Sequence, residues 1–366
     1  MSILFEKRKN ISRTAQVLVP AASFVVSLIL TGILLLAFGA DPFATYRAMF
    51  RGAFGSGRAF TETLVKAIPL MLTGLGVALA FRLRFWNIGA EGQLTLAGVA
   101  APGVAIFWGR WMPSFLLLPT VILVGCLAGA AWAGIPALLR TRLKVDETLV
   151  TLMLNYVAIL FSEYLYYGPW RDPKGYGFPG TEPFPEAAWM PRIAGRAHLG
   201  LVFALFLALA LWFVLNRTRW GFELKILGAS PQAARYQGIS VERNIVLAIL
   251  VSGALCGLAG VGEVTGISRR LQQGLSLGYG YTAIIVAWMG QLNPLAVPFV
   301  AVLMAALLVG GDQVQMMMGL PASMGILMQG MILFPLLAGS LFTEYRIKRT
   351  ARHPAAGAAS GAEGAE

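Results

Sequence analysis

The sequence predicts an all-α protein, a polytopic membrane helix bundle of about ten transmembrane or re-entrant segments. Three observations carry that prediction. Apolar residues make up 57% of the 366 residues and charged residues only 13%, where a soluble domain carries about a quarter charged. The apolar residues fall in runs long enough to cross a bilayer, which takes about 20 residues of helix. The 29 Lys and Arg, against 17 Asp and Glu, gather at the ends of those runs and do not line a polar face. That is the distribution that sets membrane orientation, and it excludes nucleic acid as the reason for the positive charge.

The N-terminal residues 1–15 carry Lys7, Arg8, Lys9 and Arg13 and read as a basic cytoplasmic segment. Gln16–Phe38 is then the first span, an apolar run too long for a secretory signal. Asp41–Phe60, with Pro42 and three arginines among aromatics, reads as an external interfacial segment. Thr61–Phe81 returns to Arg82 and Arg84, and the third span begins near Asn87 and ends at Trp108. Ser114–Leu139 runs into Arg140, Arg142 and Lys144, a cytoplasmic marker. Val145–Tyr167 leads to residues 168–198, rich in Pro, Gly and aromatics, which form a long external loop. Leu199–Leu215 comes back as the sixth span.

Residues 217–243 are polar and basic, and lie between the sixth span and the seventh, Asn244–Gly266. Within them Ser230 suits a helix N-cap, Pro231 the first helical position, and Gly238 the left-handed residue past the end. One surface helix from Pro231 to Gln237 is predicted. Tyr279–Leu292 and Pro294–Gly310 read as too short to cross and are parted by Asn293-Pro294, so a hairpin or re-entrant pair is expected. Leu320–Leu341 is the last span. Arg346, Lys348, Arg349 and Arg352 place the C-terminus in the cytoplasm with the N-terminus, and residues 346–366 read as a disordered Ala/Gly-rich tail. Residues 16–345 thus make a single transmembrane domain.

The chemistry-bearing residues exclude more than they assign. Cys126 and Cys256 both sit in apolar runs and only His198 and His353 exist, so neither disulfide nor metal site is expected. The chain has no G-x-x-x-x-G-K-[ST], H-E-x-x-H or G-x-S-x-G, so no ATP site, cofactor or hydrolytic centre of those kinds is expected on it. Small residues four apart, Gly125/Gly129, Gly253/Gly257 and Gly262/Gly266, favour close helix packing. Polar side chains at membrane depth are the informative set: Asn87, Glu91, Gln93, Asn155, Glu263, Gln291, Asn293 and Gln329. Such groups line a pathway or bond to one another. Glu91 fits equally a first-turn acid near the Asn87 cap. Many amides and few full charges suit a neutral hydroxylated or heterocyclic solute better than an ion.

Phe85-Trp86-Asn87-Ile88-Gly89-Ala90-Glu91-Gly92-Gln93 resembles the Asn-Ile-Gly-x-Glu-Gly-Gln signature of ABC-importer permeases of the ribose and branched-chain amino acid superfamily. Leu152–Tyr156, Gly168–Pro173 and Gly175–Pro179 are similar, more narrowly, to its nucleoside (simple-sugar) branch. So are Gly280–Ile284, Asn293-Pro294 and Gly310-Gly311. Gly228–Ile239 resembles the superfamily's cytoplasmic coupling segment. Asp146-Glu147 departs from the Asn-Glu of the branch.

The resemblance implies the type II ABC importer permease fold and a multi-pass protein of the bacterial cytoplasmic (inner) membrane. It implies a dimer, with itself or with a second related permease. ATP-binding-cassette ATPase subunits would carry the ATP and dock through Gly228, Ala229, Pro231, Ala233, Ala234, Arg235, Tyr236 and Gly238. A substrate-binding lipoprotein or periplasmic protein would deliver the solute. Nucleosides are the implied cargo, with a ribose-like sugar or riboflavin as alternatives. From another class, a self-contained secondary transporter would explain the spans without these partners.

Overall fold

The computed structural model describes residues 2–7, 13–175, 177–275, 277–319 and 345–350, with parts of 327–339. They fall into two compact units, Met1–Thr45 with Ser323–Glu366, and Tyr46–Ala322. In chain order the elements begin with β1 (Ser2–Lys7), α1 (Arg13–Ala37), α2 (Pro42–Phe54), α3 (Gly57–Arg82), α4 (Ala90–Phe107), α5 (Ser114–Leu143) and α6 (Glu147–Tyr167). The loop of residues 168–198 holds the hairpin β2 (Arg192–Ala194) and β3 (Ala197–His198). There follow α7 (Gly200–Arg217), α8 (Arg219–Ala229), α9 (Pro231–Tyr236) and α10 (Val241–Gly262), which continues as a π-helical segment, Glu263–Ser268. The last elements are α11 (Tyr279–Met289), α12 (Val297–Met318) and β4 (Tyr345–Thr350).

Among the described residues seven helices are long and apolar enough to cross a membrane: α3, α4, α5, α6, α7, α10 with its π segment, and α12. The helical bundle expected from composition is what forms. In the larger unit α3 is the central helix: buried residues fill 89% of its apolar window, against 22% for α5. The glycine spacing explains how α5 and α10 meet. A Cβ on Gly257 would lie 2.7 Å from the Gly125 carbonyl, and one on Gly129 would lie 2.8 Å from the Gly257 Cα. Those two pairs interdigitate. Gly262 and Gly266 serve a different purpose and receive the His198 ring, whose Cδ2 would be 2.6 Å from a Cβ on Gly266.

Four elements differ from the sequence prediction. α12 runs for 22 residues, not the short piece ending at Gly310, because Gly310 lies under Met49 of α2, with a Cβ there 3.0 Å from that of Met49. Tertiary packing carries the helix through the Gly-Gly-Asp-Gln stretch. The interfacial segment after Asp41 is the helix α2. The basic stretch 217–243 holds a further helix, α8, capped by the Thr218 side chain, which accepts from Gly221 N at 3.3 Å. Tyr345–Thr350, placed mostly in the tail, pairs antiparallel with β1, Ser2 opposite Thr350. Most of Leu320–Leu341 and all of residues 351–366 lie outside the described residues.

A buried polar hub and an exposed helical elbow

The linker between α3 and α4 alternates buried and exposed residues, and side chains hold its buried ones. Asn87 is fully buried. Its Nδ2 donates to Gln93 Oε1 and to Ser252 Oγ, both at 3.3 Å, and its Oδ1 accepts from Gly89 N at 3.1 Å and from Gln93 Nε2 at 3.0 Å. Ser252 of α10 donates in turn to Gly76 O of α3 at 2.7 Å. The Asn87–Gln93 pair therefore folds the linker on itself and ties it to both central helices.

Asn155 reads the other side of the linker. Its Oδ1 accepts from Gly92 N at 2.8 Å, and its Nδ2 donates to Ile88 O at 2.9 Å and to Tyr281 Oη at 3.2 Å. One amide thus fastens α6 to α4 and α11. Thr151, a turn earlier, accepts from Ile88 N at 3.3 Å. Glu147 begins α6, accepting from Trp86 N at 3.5 Å and pairing with Arg140 Nε at 3.1 Å. Asp146, the departure from the branch pattern, caps α6 by accepting from Leu149 N at 3.1 Å, a task Asn performs as well.

Glu91 joins two helix starts. It lies in the first turn of α4, and its carboxylate also accepts from Gly278 N at 2.9 Å and from Gly280 N at the start of α11. Helix N-termini leave N–H groups without intrahelical partners and favour negative charge. A Cβ on Gly280 would collide with the Glu91 backbone, so α11 approaches as closely as glycine allows. The reading of Glu91 as a first-turn acid holds, and the same side chain reaches across to the start of a second helix.

The remaining sequence candidates are dispersed. Glu263 opens the π segment and stands apart from this cluster. Gln291 and Asn293 form the turn after α11, in which Gln291 and Leu292 take left-handed φ values of 51° and 55°. Arg82 Nε donates to Leu292 O at 3.0 Å and Asn293 Oδ1 accepts from Leu295 N at 3.1 Å. Gln329 lies outside the described residues. Ser252 and Tyr281 belong to the hub but were not singled out. The signal was faint: a hydroxyl inside an apolar run.

Residues 217–243 hold an elbow of two helices. Ser230 ends α8 and caps α9, accepting from Ala233 N at 3.3 Å, with Pro231 at the first position. Gly238 follows with φ 74°, and Ile239 N donates back to Ala234 O at 3.0 Å. Ala234 is buried, while Pro231, Arg235 and Gly238 are exposed and Tyr236 is 93% exposed. Gly228 of α8 faces inward, and a Cβ there would collide with the Arg82 carbonyl at the end of α3. Trp220 Nε1 donates to Asn244 Oδ1 at 3.0 Å and Asn244 Nδ2 to Glu223 Oε2 at 2.9 Å, so α8 is fixed to the start of α10. Ala229 is exposed and Ala233 half-buried.

Residues 168–198 are laced to the π segment and to the chain that follows it. Thr181 N donates to Leu271 O at 2.8 Å, Phe184 N to Arg269 O at 2.9 Å and Met190 N to Thr265 O at 3.2 Å. Arg269 stacks 3.7 Å above the Trp189 ring, and Arg196 pairs with Glu62 at 3.1 Å. His198 is buried, accepts from Gly200 N at 3.2 Å, and lies 3.0 Å from Met190 Sδ. Burial pushes its pKa down to about 4.

A multi-pass helical membrane protein with a polar interior and a surface elbow is the class these features define. The chain belongs to the family of permease components of branched-chain amino acid transport systems, whose model matches residues 59–337. It is 35% identical to the glucose ABC transporter permease protein TsgB13 of Haloferax volcanii, over 90% of this chain and 89% of that one. It is 32% identical to the guanosine ABC transporter permease protein NupP of Bacillus subtilis, over 85% of this chain and 90% of the relative. The nucleoside ABC transporter permease protein NupB of Lactococcus lactis is also 32% identical, over 82% and 85%. The chain is therefore the permease component of an ABC transporter, a transport subunit and not an enzyme, and membership implies separate ATPase subunits and a binding protein.

Proposed function

We propose that this permease imports nucleosides across a bacterial cytoplasmic membrane, as a dimer with itself or with a second related permease. The chain itself binds no cofactor. ATP is bound and hydrolysed on two ATPase subunits that dock on α8 and α9, and a substrate-binding lipoprotein or periplasmic protein delivers the solute at residues 168–198. The observation that carries the coupling role is the split character of the elbow. Its outer surface, Pro231, Arg235 and Tyr236, is exposed, while Gly228 and Asn244 join it rigidly to α3 and α10. A push on α9 is delivered to the two helices from which Asn87 and Ser252 suspend the α3–α4 linker. ATP binding to the motors then favours one of two bundle arrangements, and alternating access follows from that bias.

The likeness to NupP and NupB favours a nucleoside as cargo, and the likeness to TsgB13 supports the second reading, a simple sugar carried by the same machine. Both are neutral and hydroxylated, in keeping with an interior whose polar side chains are chiefly amides and hydroxyls. Radiolabelled uptake into cells expressing the chain with its partner subunits decides between them, using inosine, guanosine, ribose, glucose and riboflavin, with and without an ATPase-dead motor. Motor-dependent uptake of guanosine or inosine is expected. Uptake of glucose, ribose or riboflavin alone would replace the cargo, and uptake indifferent to the motor would remove the ABC mechanism itself.

A further inference from the structure

α11 is an unusual helix for a membrane protein. Its 11 residues reach roughly 16 Å at about 1.5 Å each, about half of a ~30 Å hydrocarbon core. Non-helical backbone at membrane depth is tolerated only where protein buries it or where it lines a watery cavity. Protein accounts for its two ends, since Glu91 accepts from Gly278 and Gly280 and Arg82 donates to Leu292 O. One face remains uncovered. Tyr279, Ala283, Val286 and Ala287 are buried, whereas Tyr281 and Trp288, two turns apart on the same side, are 37% and 43% exposed.

Trp86 of the α3–α4 linker extends that face and is 46% exposed. Its ring lies 6.0 Å from that of Trp288 with only 27° between the planes, and Phe81 closes the group at 5.1 Å from Trp86 and 6.1 Å from Trp288. α11 carries no charged residue. The group adjoins Arg82, whose carbonyl meets Gly228 of α8, so it stands at the elbow end of the molecule.

We infer that Trp86 and Trp288, with Tyr281 further along the same face, form an aromatic platform that stacks the planar heterocycle of the solute at the elbow end of the path. The inference rests on the nucleoside reading above and sharpens it: the permease reads the base, and not only the sugar. Every nucleobase has a π face, and stacking on an aromatic side chain is tolerant of base identity. A lipid chain needs no such ring geometry. A bare sugar wants hydrogen-bonding groups around its edge, and here the Tyr281 hydroxyl is already engaged by Asn155.

The test uses the permease co-purified with its partner subunits in lipid vesicles. ATP-driven uptake of guanosine and guanosine-induced quenching of tryptophan fluorescence are measured, with ribose as the control probe, for the wild type, W288A, W86A and W288F. Wild-type guanosine uptake and quenching are expected, with no quenching by ribose. W288A should raise the KM for guanosine roughly tenfold and remove a large part of the quenching, while W288F, which keeps a ring, retains most of both. Co-purification with the ATPase should be unchanged in all three variants. Equal quenching by ribose would make the platform a sugar site, and unchanged guanosine KM in W288A and W86A would leave the tryptophans as interfacial anchors; either result overturns the inference. Absence of ATP-driven guanosine uptake in the wild type is a separate failure, of the nucleoside reading itself, and takes the base away as occupant.

Discussion

The stretches Asn87–Gln93 and Pro231–Gly238 look alike in the sequence, each a short polar interruption between apolar runs, punctuated by glycine. In the structure they are opposites. Asn87, Glu91 and Gln93 are buried, and Asn87 and Glu91 are bonded to groups on other helices, while Tyr236 and Arg235 stand in the open and the bonds of α9 are local. The difference teaches that a polar break in a membrane protein has two uses. One faces inward and fixes helices that carry no such bonds of their own; the other faces outward and offers itself to a partner.

The contrast is open to experiment, beginning with the hub, where the effect should be largest. Glu91→Ala strands two N–H groups at the start of α11, that of Gly280 buried and that of Gly278 half-buried, at about 1–3 kcal/mol for the buried one and less for the other. Thermal melting of the detergent-solubilised protein should show a marked drop, with Glu91→Gln, which keeps one good acceptor, in between. A wild-type melting curve for Glu91→Ala would mean that the clamp does not hold α11. Asn155→Ala removes three bonds to three elements and should cost about 2 kcal/mol, less than Glu91→Ala because the lost groups include a tyrosine hydroxyl that can turn elsewhere.

The loop of residues 168–198 gives a pH-dependent arm. The neutral His198 ring stabilises its pocket fully above its ordinary value of 6.5, and that contribution is lost as the pH falls towards about 4. Limited proteolysis of residues 168–198 should therefore speed up on acidification through that window, and His198→Phe should flatten the dependence. Acid sensitivity unchanged in the variant would assign it to another group. The smallest effect on stability belongs to the elbow. Tyr236→Ala should shift melting by no more than about 0.5 kcal/mol, as for an exposed surface residue, yet weaken ATPase co-purification. A variant that binds the ATPase normally would show that the exposed ring is not the contact.

What could be read in advance follows the range of the forces involved. Ser230, Pro231 and Gly238 act within one turn of themselves, so α9 was legible from its caps. α8 was not, because the close approach of Gly228 to Arg82 that seats it spans 146 residues of chain. The hub is the same case at greater range. That Asn87, Glu91, Gln93 and Asn155 matter was legible from polarity at membrane depth. That Asn87 meets Ser252, and Glu91 the start of α11, depends on contacts 165 and 187 residues apart, which no local pattern encodes. α12 was cut short for a related reason: its Gly-Gly-Asp-Gln stretch looks like a helix end until Met49 is seen against it.

The pairing of Ser2–Lys7 with Tyr345–Thr350 has a topological consequence. Strands that exchange backbone hydrogen bonds lie about 4.8 Å apart and must share a compartment, since no ladder forms through a bilayer. An even number of crossings between them is the outcome to expect, whatever the boundaries of each helix. Parity makes the weakest point of any span map testable without resolving it: reporters fused at the two ends are expected to give the same answer, and opposite answers would show that the two strands do not pair in the membrane-embedded protein.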